Sequence, residues 1–90
     1  MNFTIEENEI YYIENGKKLA RICFIFEDNN VAVINHTFVD DSLKGQGVAS
    51  KLVRMCYDVM KEKNIKIKAT CSYAKMWFNK HPECKDIYVE

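Results

Sequence analysis

The fold is decided by one stretch of the chain, which starts with the apolar strand VAVINHTFV (Val31–Val39) and continues into the loop DDSLKGQG (Asp40–Gly47). An amphipathic helix over Val48–Lys63 follows, because apolar side chains recur there at three- and four-residue spacing. A second strand, IKIKATC (Ile65–Cys71), closes the stretch with apolar and polar residues in alternation. This order predicts a β-α-β crossover, in which the two strands are parallel and the connection is right-handed.

The loop between the first strand and the helix predicts an anion site. Backbone N–H groups at a helix N-terminus have no partner inside the helix, and the helix dipole is positive there. Gly45 and Gly47 stand in the loop that leads into this end, and glycine lets the backbone approach a bulky group closely. We therefore expect a phosphate-bearing ligand at this turn.

The residues before the decisive stretch predict an antiparallel meander. Strands are expected over Phe3–Glu6, Glu9–Glu14 and Lys18–Glu27, which are rich in β-branched and aromatic residues. Asn15-Gly16 predicts a hairpin turn with positive φ at both positions, and Asp28–Asn30 predicts another turn. The strand that follows is apolar on both faces, which predicts a central position with packing on each side.

The residues after the stretch predict a short helix. Ser72 is a candidate N-cap for a helix over Tyr73–Lys80, and His81-Pro82 would end it. Three of its side chains are expected to point inward, namely Tyr73, Met76 and Trp77. Asp86–Glu90 is a candidate last strand. The chain is therefore expected to be one α/β (α+β) domain, residues 1–90, with a mixed sheet.

Composition narrows the function classes. Thirteen basic and thirteen acidic residues leave no net charge, which argues against a nucleic-acid-binding domain. No apolar run is long enough to span a membrane, and the N-terminus does not resemble a signal peptide. The four cysteines are widely spaced, which favours free thiols in a cytoplasmic protein. The protein is expected to be a monomer or a weak dimer. A zinc site built from them with the two histidines is a disfavoured alternative, so no metal is expected.

The segment KGQGVA (Lys44–Ala49) resembles the signature of the GNAT superfamily of N-acetyltransferases, which is Gln or Arg, two residues, Gly, one residue, and Gly or Ala. Gly47 and Ala49 match this signature, whereas Lys44 stands where Gln or Arg is usual. The order of meander, turn, helix and parallel strand is similar to the GNAT core over nearly the whole chain. The resemblance is to small, single-module members, and it implies a GNAT-like mixed sheet.

The resemblance also implies a site for acetyl-CoA. Val39 and Asp40 would pair through their backbone with the pantetheine arm where the parallel strands separate. Lys44 would keep a donor near the phosphates. The pyrophosphate would be held mainly by backbone N–H groups of Gly45, Gln46, Gly47, Val48, Ala49 and Ser50. An ordinary helix-entry loop is the alternative.

Cys71, His36 and Tyr73 are the candidate catalytic residues. Cys71 ends a strand just before a helix N-terminus, which favours its thiolate. This chain resembles small GNAT-like proteins in these three residues, because those proteins carry a cysteine, a tyrosine two residues later and a histidine on the fourth strand. The resemblance implies that Cys71 could accept the acetyl group, that His36 could act as base and that Tyr73 could protonate the departing thiolate. Packing roles for all three are the alternative, and Cys84 is expected on an exposed loop.

The sequence therefore predicts an acetyl-CoA-dependent N-acyltransferase of the small GNAT-like type, acting on an unknown primary amine. Transfer through Cys71 and direct transfer to the amine are both open. A CoA- or acyl-CoA-binding module without turnover is the second prediction, and an interaction domain that keeps only the fold is the third.

Overall fold

A five-stranded mixed sheet forms the centre of the computed structural model, which describes residues 1–28 and 30–90. The strands lie side by side in chain order; the first four are antiparallel neighbours and the fifth is parallel to the fourth. They are β1 (Thr4–Ile5), β2 (Glu9–Glu14), β3 (Lys17–Asp28), β4 (Val31–Val39) and β5 (Lys66–Ala69). The predicted mixed sheet is thus confirmed, while Asn29 of the predicted Asp28–Asn30 turn lies outside the described residues.

Two helices complete the architecture, α1 (Val48–Glu62) after β4 and α2 (Ser72–Lys80) after β5. Short 3-10 turns precede α1 at Asp41–Leu43 and follow α2 at Pro82–Cys84. Within the part of the chain that the structure describes, neither helix combines the length and apolar character needed to cross a bilayer.

The C-terminal segment differs from its prediction in three respects. The N-cap of α2 is Cys71, so Ser72 is already the first helical residue. Met76 is 43% exposed instead of pointing inward, because Ala74, Trp77 and Phe78 form the buried side of this helix. The predicted strand over Asp86–Glu90 is reduced to one parallel bridge, Ile67 to Tyr88.

The hairpin between β2 and β3 has the predicted geometry. Asn15 and Gly16 both adopt positive φ, at 52° and 78°. A type I′ turn requires this conformation at its two central residues, because its twist then matches that of the flanking strands. The prediction from the Asn-Gly pair is confirmed.

A bulge in β4 changes which of its side chains face the helices. In β3, the neighbouring residues Phe24 and Cys23 pair with Ile34 and His36 of β4. Asn35, which lies between those two β4 residues, is therefore an extra residue without a partner in β3. An extra residue in one strand reverses the alternation of its side chains beyond that point. As a result, Thr37 lies opposite the buried Ile22 and on the same face as Ile34.

Both helices pack on one face of the sheet. One core cluster joins side chains of β2, β3, β4 and β5 to both helices, and it includes Ile10, Ile22, Phe24, Ile34, Leu52, Cys56, Met60, Ile67, Trp77 and Phe78. On the other face, Ile25 and Phe38 remain 53% and 41% exposed. The prediction that β4 is covered on both sides is therefore wrong for its second half, although Val33 on the open face is buried.

Candidate functional site

The parallel strands β4 and β5 separate midway along β4. Ala69 is the last β5 residue with a partner, and that partner is Ile34. The N–H groups of Thr70 and Cys71 then both donate to the Ile34 carbonyl, at 2.9 and 3.2 Å, and α2 begins at the next residue. The second half of β4 therefore borders a gap where a neighbouring strand would otherwise lie.

Two residues of β4 present free backbone groups to this gap. Asp40 N–H donates to the Leu19 carbonyl at 2.7 Å, which makes the preceding pair, Val39 and Ala20, a non-hydrogen-bonded pair of the antiparallel ladder. The N–H and C=O of Val39, and by the same alternation those of Thr37, consequently point away from β3. They lie where a pantetheine arm could pair with them as a strand would.

Asp40 does not offer the backbone donor predicted for it. Its N–H is bonded to Leu19, and its carbonyl accepts from Leu43 N–H at 3.0 Å. Its carboxylate accepts from Ser42 N–H at 3.0 Å, and the Ser42 hydroxyl and N–H together hold the pKa of Asp40 below its usual value. Asp40 thus caps the 3-10 turn that shapes the glycine loop.

The start of α1 is an uncapped helix N-terminus. Gly47, the N-cap, adopts φ 69°, and no side chain of residues 1–28 and 30–90 bonds to the N–H groups that follow it. The first helical bond runs from Lys51 N–H to Gly47 O at 3.1 Å, so the N–H groups of Val48, Ala49 and Ser50 have no acceptor within the helix. This geometry suits the pyrophosphate predicted for the loop.

The glycines serve the loop through their conformation. Gly45 and Gly47 have φ of 82° and 69°, which disfavours residues with a side chain. A Cβ at either position would meet no atom of the described residues within 4 Å. The space beside them is open and faces a cleft.

That cleft has a volume of about 200 Å³. Most of the predicted cofactor-binding residues and one predicted catalytic residue, Tyr73, line it. The full lining is Val39, Leu43, Lys44, Gly45, Gly47, Val48, Ala49, Ser50 and Tyr73. Asp40 and Gln46 do not line it. Ser50 also accepts a hydrogen bond from Trp77 Nε1 at 2.8 Å, which ties the start of α1 to α2.

Cys71 lies at the point where β5 ends, half-buried, with its Sγ 3.4 Å from Thr37 Oγ1. Partial burial opposes ionisation of this thiol, but the Thr37 hydroxyl and the backbone N–H groups of Ala74 and Tyr73 favour the thiolate. Together these groups lower the pKa of Cys71 below its ordinary value. The thiol therefore has the environment of a reactive cysteine.

His36 is not brought together with Cys71. It lies directly opposite Cys23, whose side chain points away from the core between the fully buried Ile22 and Phe24. Side chains of directly opposed residues share a face, so the exposed His36 lies on the open face of the sheet. Thr37, which the sequence analysis did not single out, takes the position beside the thiol.

Tyr73 is half-buried in the cleft at the start of α2, and burial raises the pKa of its phenol. The phenol is therefore protonated at neutral pH and can donate a proton.

The other thiols lie in different environments. Burial raises the pKa of Cys56 to about 12. Cys84, predicted on an exposed loop, is fully buried, and its Sγ accepts from Arg54 Nη1 at 2.8 Å. Burial raises the pKa of Cys84, and the charge of Arg54 opposes that rise. No cluster of three or more His, Cys, Asp or Glu side chains that could hold a metal ion occurs in residues 1–28 and 30–90.

Comparison with solved structures identifies related folds. A GCN5-like protein from Staphylococcus aureus, solved by NMR and assigned to the N-acetyltransferases, is 38% identical, with a TM-score of 0.82 over 98% of this chain and 87% of that chain. Rv2747 of Mycobacterium tuberculosis, solved with CoA, is 14% identical with a TM-score of 0.67, over 84% of this chain and 48% of that one. Tetrahymena GCN5 is 19% identical with a TM-score of 0.65, over 91% of this chain and 59% of that one.

The comparison with curated proteins gave no match. The sequence profile of the GCN5-related N-acetyl-transferases matches residues 7–87, from just before β2 to the residue before the bridge at Tyr88. The match covers the glycine loop, the gap and both helices, and the resemblance noted from the sequence is confirmed. The chain belongs to the GCN5-related N-acetyltransferase family.

Proposed function

We propose that this protein transfers the acetyl group of acetyl-CoA to a primary amine through Cys71. The observation that carries the proposal is the position of the Cys71 thiol, beside Thr37 at the gap between the parallel strands. The relative Rv2747 was solved with CoA, and the uncapped N-terminus of α1 is suited to a diphosphate.

Binding would use three parts of the chain. The N–H groups of Val48, Ala49 and Ser50 would donate hydrogen bonds to the diphosphate. The free backbone groups of Thr37 and Val39 would pair with the pantetheine arm, and the thioester would then reach Cys71. Lys44 adds an exposed positive charge beside the phosphates.

Transfer would take two steps. The Cys71 thiolate attacks the thioester carbon, a new S–C bond forms, the bond from that carbon to the CoA sulfur breaks, and the departing sulfur takes a proton from the Tyr73 phenol. The neutral amine then attacks the Cys71 acetyl thioester, the bond to Sγ breaks, and the thiolate is restored. The proton of the attacking nitrogen passes to solvent, from which Tyr73 also regains its own proton.

The predicted catalytic residues Cys71 and His36 lie on opposite faces of the sheet. Cys71 and Thr37 lie on the helix face, where acetyl-CoA would bind, whereas His36 lies on the open face. An amine that enters from the open face reaches His36 without displacing the cofactor. His36 is therefore assigned to the amine and not to the activation of Cys71.

Intact-protein and peptide mass spectrometry test this proposal. Protein mixed with acetyl-CoA and no amine should gain one acetyl group on Cys71 and release free CoA, and a primary amine should remove the group. Cys23→Ala is the matched control, because Cys23 lies on the open face and should leave acetylation intact. Full transfer activity in Cys71→Ala would overturn the covalent route in favour of direct attack on the thioester. If acetyl-CoA binds but no free CoA is released in the presence of any primary amine, the result would favour a binding module without turnover.

A further inference from the structure

A groove with a volume of about 450 Å³ runs along the outer edge of β5, and we call it the edge groove. It lies between α2 and the segment that follows this helix, since Lys75 and Tyr88 both line it. Val33 on the open face of the sheet forms part of its floor. The groove also reaches Thr70, the residue before Cys71. It is therefore close to the thiol, and among the described residues it shares no lining with the cleft proposed for acetyl-CoA.

One face of α2 aligns Cys71 with two polar side chains of the edge groove. Cys71 is the N-cap of α2, and Lys75 N–H donates to the Cys71 carbonyl at 3.1 Å. Asn79 lies one further turn along the same face, because residues four apart are neighbours on a helix. Lys75 and Asn79 both line the groove, and the Cα–Cβ bond of Lys75 tilts towards the Cys71 end of the helix. Lys75 lies about 6 Å from Cys71 along the helix axis, so a small ligand bound by Lys75 can also reach the thiol.

The edge groove contains one cation and one anion that have no ion pair. Lys68 and Glu27 line it as a pair, with Nζ and Oε1 3.0 Å apart. Lys75 and Glu90 line it as well, and within residues 1–28 and 30–90 neither side chain forms an ion pair or a hydrogen bond. An ammonium group and the Asn79 amide can donate to a carboxylate, whereas a carboxylate attracts an ammonium group. The groove therefore complements a ligand that carries both charges.

The remaining lining of the edge groove is mainly apolar. Val33 is buried, and the half-buried Tyr88 ring is stacked on Phe78 with ring centres 4.3 Å apart. Val89 adds an exposed aliphatic side chain. Burial raises the pKa of the Tyr88 phenol, and the charge of Glu90 adds to the rise, so this negative charge acts within the groove. An aliphatic group of a ligand would lose water-exposed area against these side chains.

We propose that the edge groove binds the amine acceptor, and that the acceptor is an α-amino acid with an apolar side chain. This inference rests on the proposed function, because it names the amine that takes the acetyl group from Cys71. Lys75 and Asn79 bind the carboxylate, Glu90 attracts the ammonium group, and the apolar lining contacts the side chain. The ammonium group first releases a proton to solvent. The N–C bond then forms, the C–Sγ bond breaks with its electron pair left on Sγ, and the nitrogen releases a second proton to solvent.

Product formation from L-leucine and L-leucinol, measured by mass spectrometry, tests this assignment. The two amines have similar basicity and differ in that a carboxylate replaces a hydroxymethyl group. With saturating acetyl-CoA, wild-type protein should acetylate leucine with a kcat/KM about tenfold higher, as expected of an exposed charge pair supported by one further hydrogen bond. Lys75→Gln should reduce that ratio to about twofold. Glu90→Gln should lower kcat/KM about threefold for both amines and leave the ratio unchanged, because both carry the ammonium group.

Lys80→Gln is the matched control. It removes the same charge from the same helix, at an exposed position that does not line the edge groove. Its leucine to leucinol ratio should equal that of wild type. A wild-type ratio of one, or an unchanged ratio in Lys75→Gln, would overturn the amino-acid assignment and leave the proposed function intact. Acetylation of neither amine would also overturn the assignment; an acetyl group on Cys71 after mixing with acetyl-CoA alone would then leave the proposed function intact, and its absence would overturn both.

Discussion

Gly47 and Gly16 form a matched pair that separates backbone strain from ligand contact. Gly47 has φ 69° at the start of α1, and Gly16 has φ 78° in the β2–β3 hairpin. A Cβ at either position would meet no atom of the described residues within 4 Å. Replacement by alanine should therefore impose the same kind of strain at both sites, without a clash at either.

The strain sets the expected loss of stability. A residue with a side chain is destabilised by about 1–2 kcal/mol in the left-handed region, a cost that glycine does not have. For a domain of 90 residues this lowers the melting temperature by roughly 4–8 °C for each kcal/mol. Gly16→Ala and Gly47→Ala should thus show similar losses in the absence of ligand.

The ligand response should distinguish the two variants. Saturating CoA, at about 100 times its dissociation constant, should stabilise wild type and Gly16→Ala by about 2.7 kcal/mol. In Gly47→Ala the Cβ projects into the open space that the diphosphate would fill, so a loss of more than tenfold in affinity should remove at least half of that stabilisation. Thermal melts over a CoA concentration series measure both effects. Equal ligand-induced shifts in the two variants would refute contact between this backbone and the ligand.

Three further predictions concern the site. Limiting iodoacetamide near neutral pH should label Cys71 ahead of the other three cysteines, and saturating CoA should protect it; labelling unaffected by CoA would contradict its place in the site. Thr37→Val removes the hydroxyl beside Sγ and so should raise the pKa of Cys71, which shifts the pH profile of labelling upward and lowers the thiolate fraction at neutral pH. An unmoved profile would exclude that contact as a cause. Lys44→Ala should weaken CoA binding about two- to tenfold at low salt and less at high salt, as expected of an exposed charge; equal losses at both ionic strengths would indicate a structural role.

Local sequence patterns were sufficient to predict most of the helices and strands. The bounds of β2 and β4 were predicted as observed, and α1 ends one residue earlier than expected. These elements follow from side-chain periodicity and from turn residues such as Asn15 and Gly16, which act over a few positions. The conformation of the glycine loop was predictable for the same reason, since the positive φ of Gly45 and Gly47 follows from the residue type.

The positions of the His36 and Thr37 side chains could not be predicted from local sequence, because they depend on how β4 pairs with β3. Which face each side chain occupies is fixed by the bulge at Asn35, and the bulge is defined only by the pairing of β4 with β3. The polar run of Asn35, His36 and Thr37 interrupts an otherwise apolar strand, and it was the one available signal of irregular pairing. His36 was predicted as a catalytic residue from the resemblance to small GNAT-like proteins, and Thr37 was not predicted.

Cys84 shows a second limit of local reasoning. The segment after α2 is polar and short, which is typical of an exposed loop. Its thiol is nevertheless fully buried, because Arg54 of α1 extends over it at 2.8 Å and Ile87 packs into the same core. The long-range packing of α1 against this segment sets the burial of Cys84, and no periodicity within the segment encodes that packing.

The parallel arrangement of β4 and β5 explains why one gap can serve both binding and chemistry. Parallel strands end at the same edge of a sheet, so the helices that follow them start at that edge with their positive ends together. The N-terminus of α1 faces the cleft proposed to hold the diphosphate, while the first N–H groups of α2, together with the Thr37 hydroxyl, lower the pKa of the Cys71 thiol. The hydrogen bond from Trp77 to Ser50 holds the two helices in this relation. A change at Trp77 should therefore affect cofactor affinity and thiol reactivity together, whereas Thr37→Val should affect thiol reactivity alone.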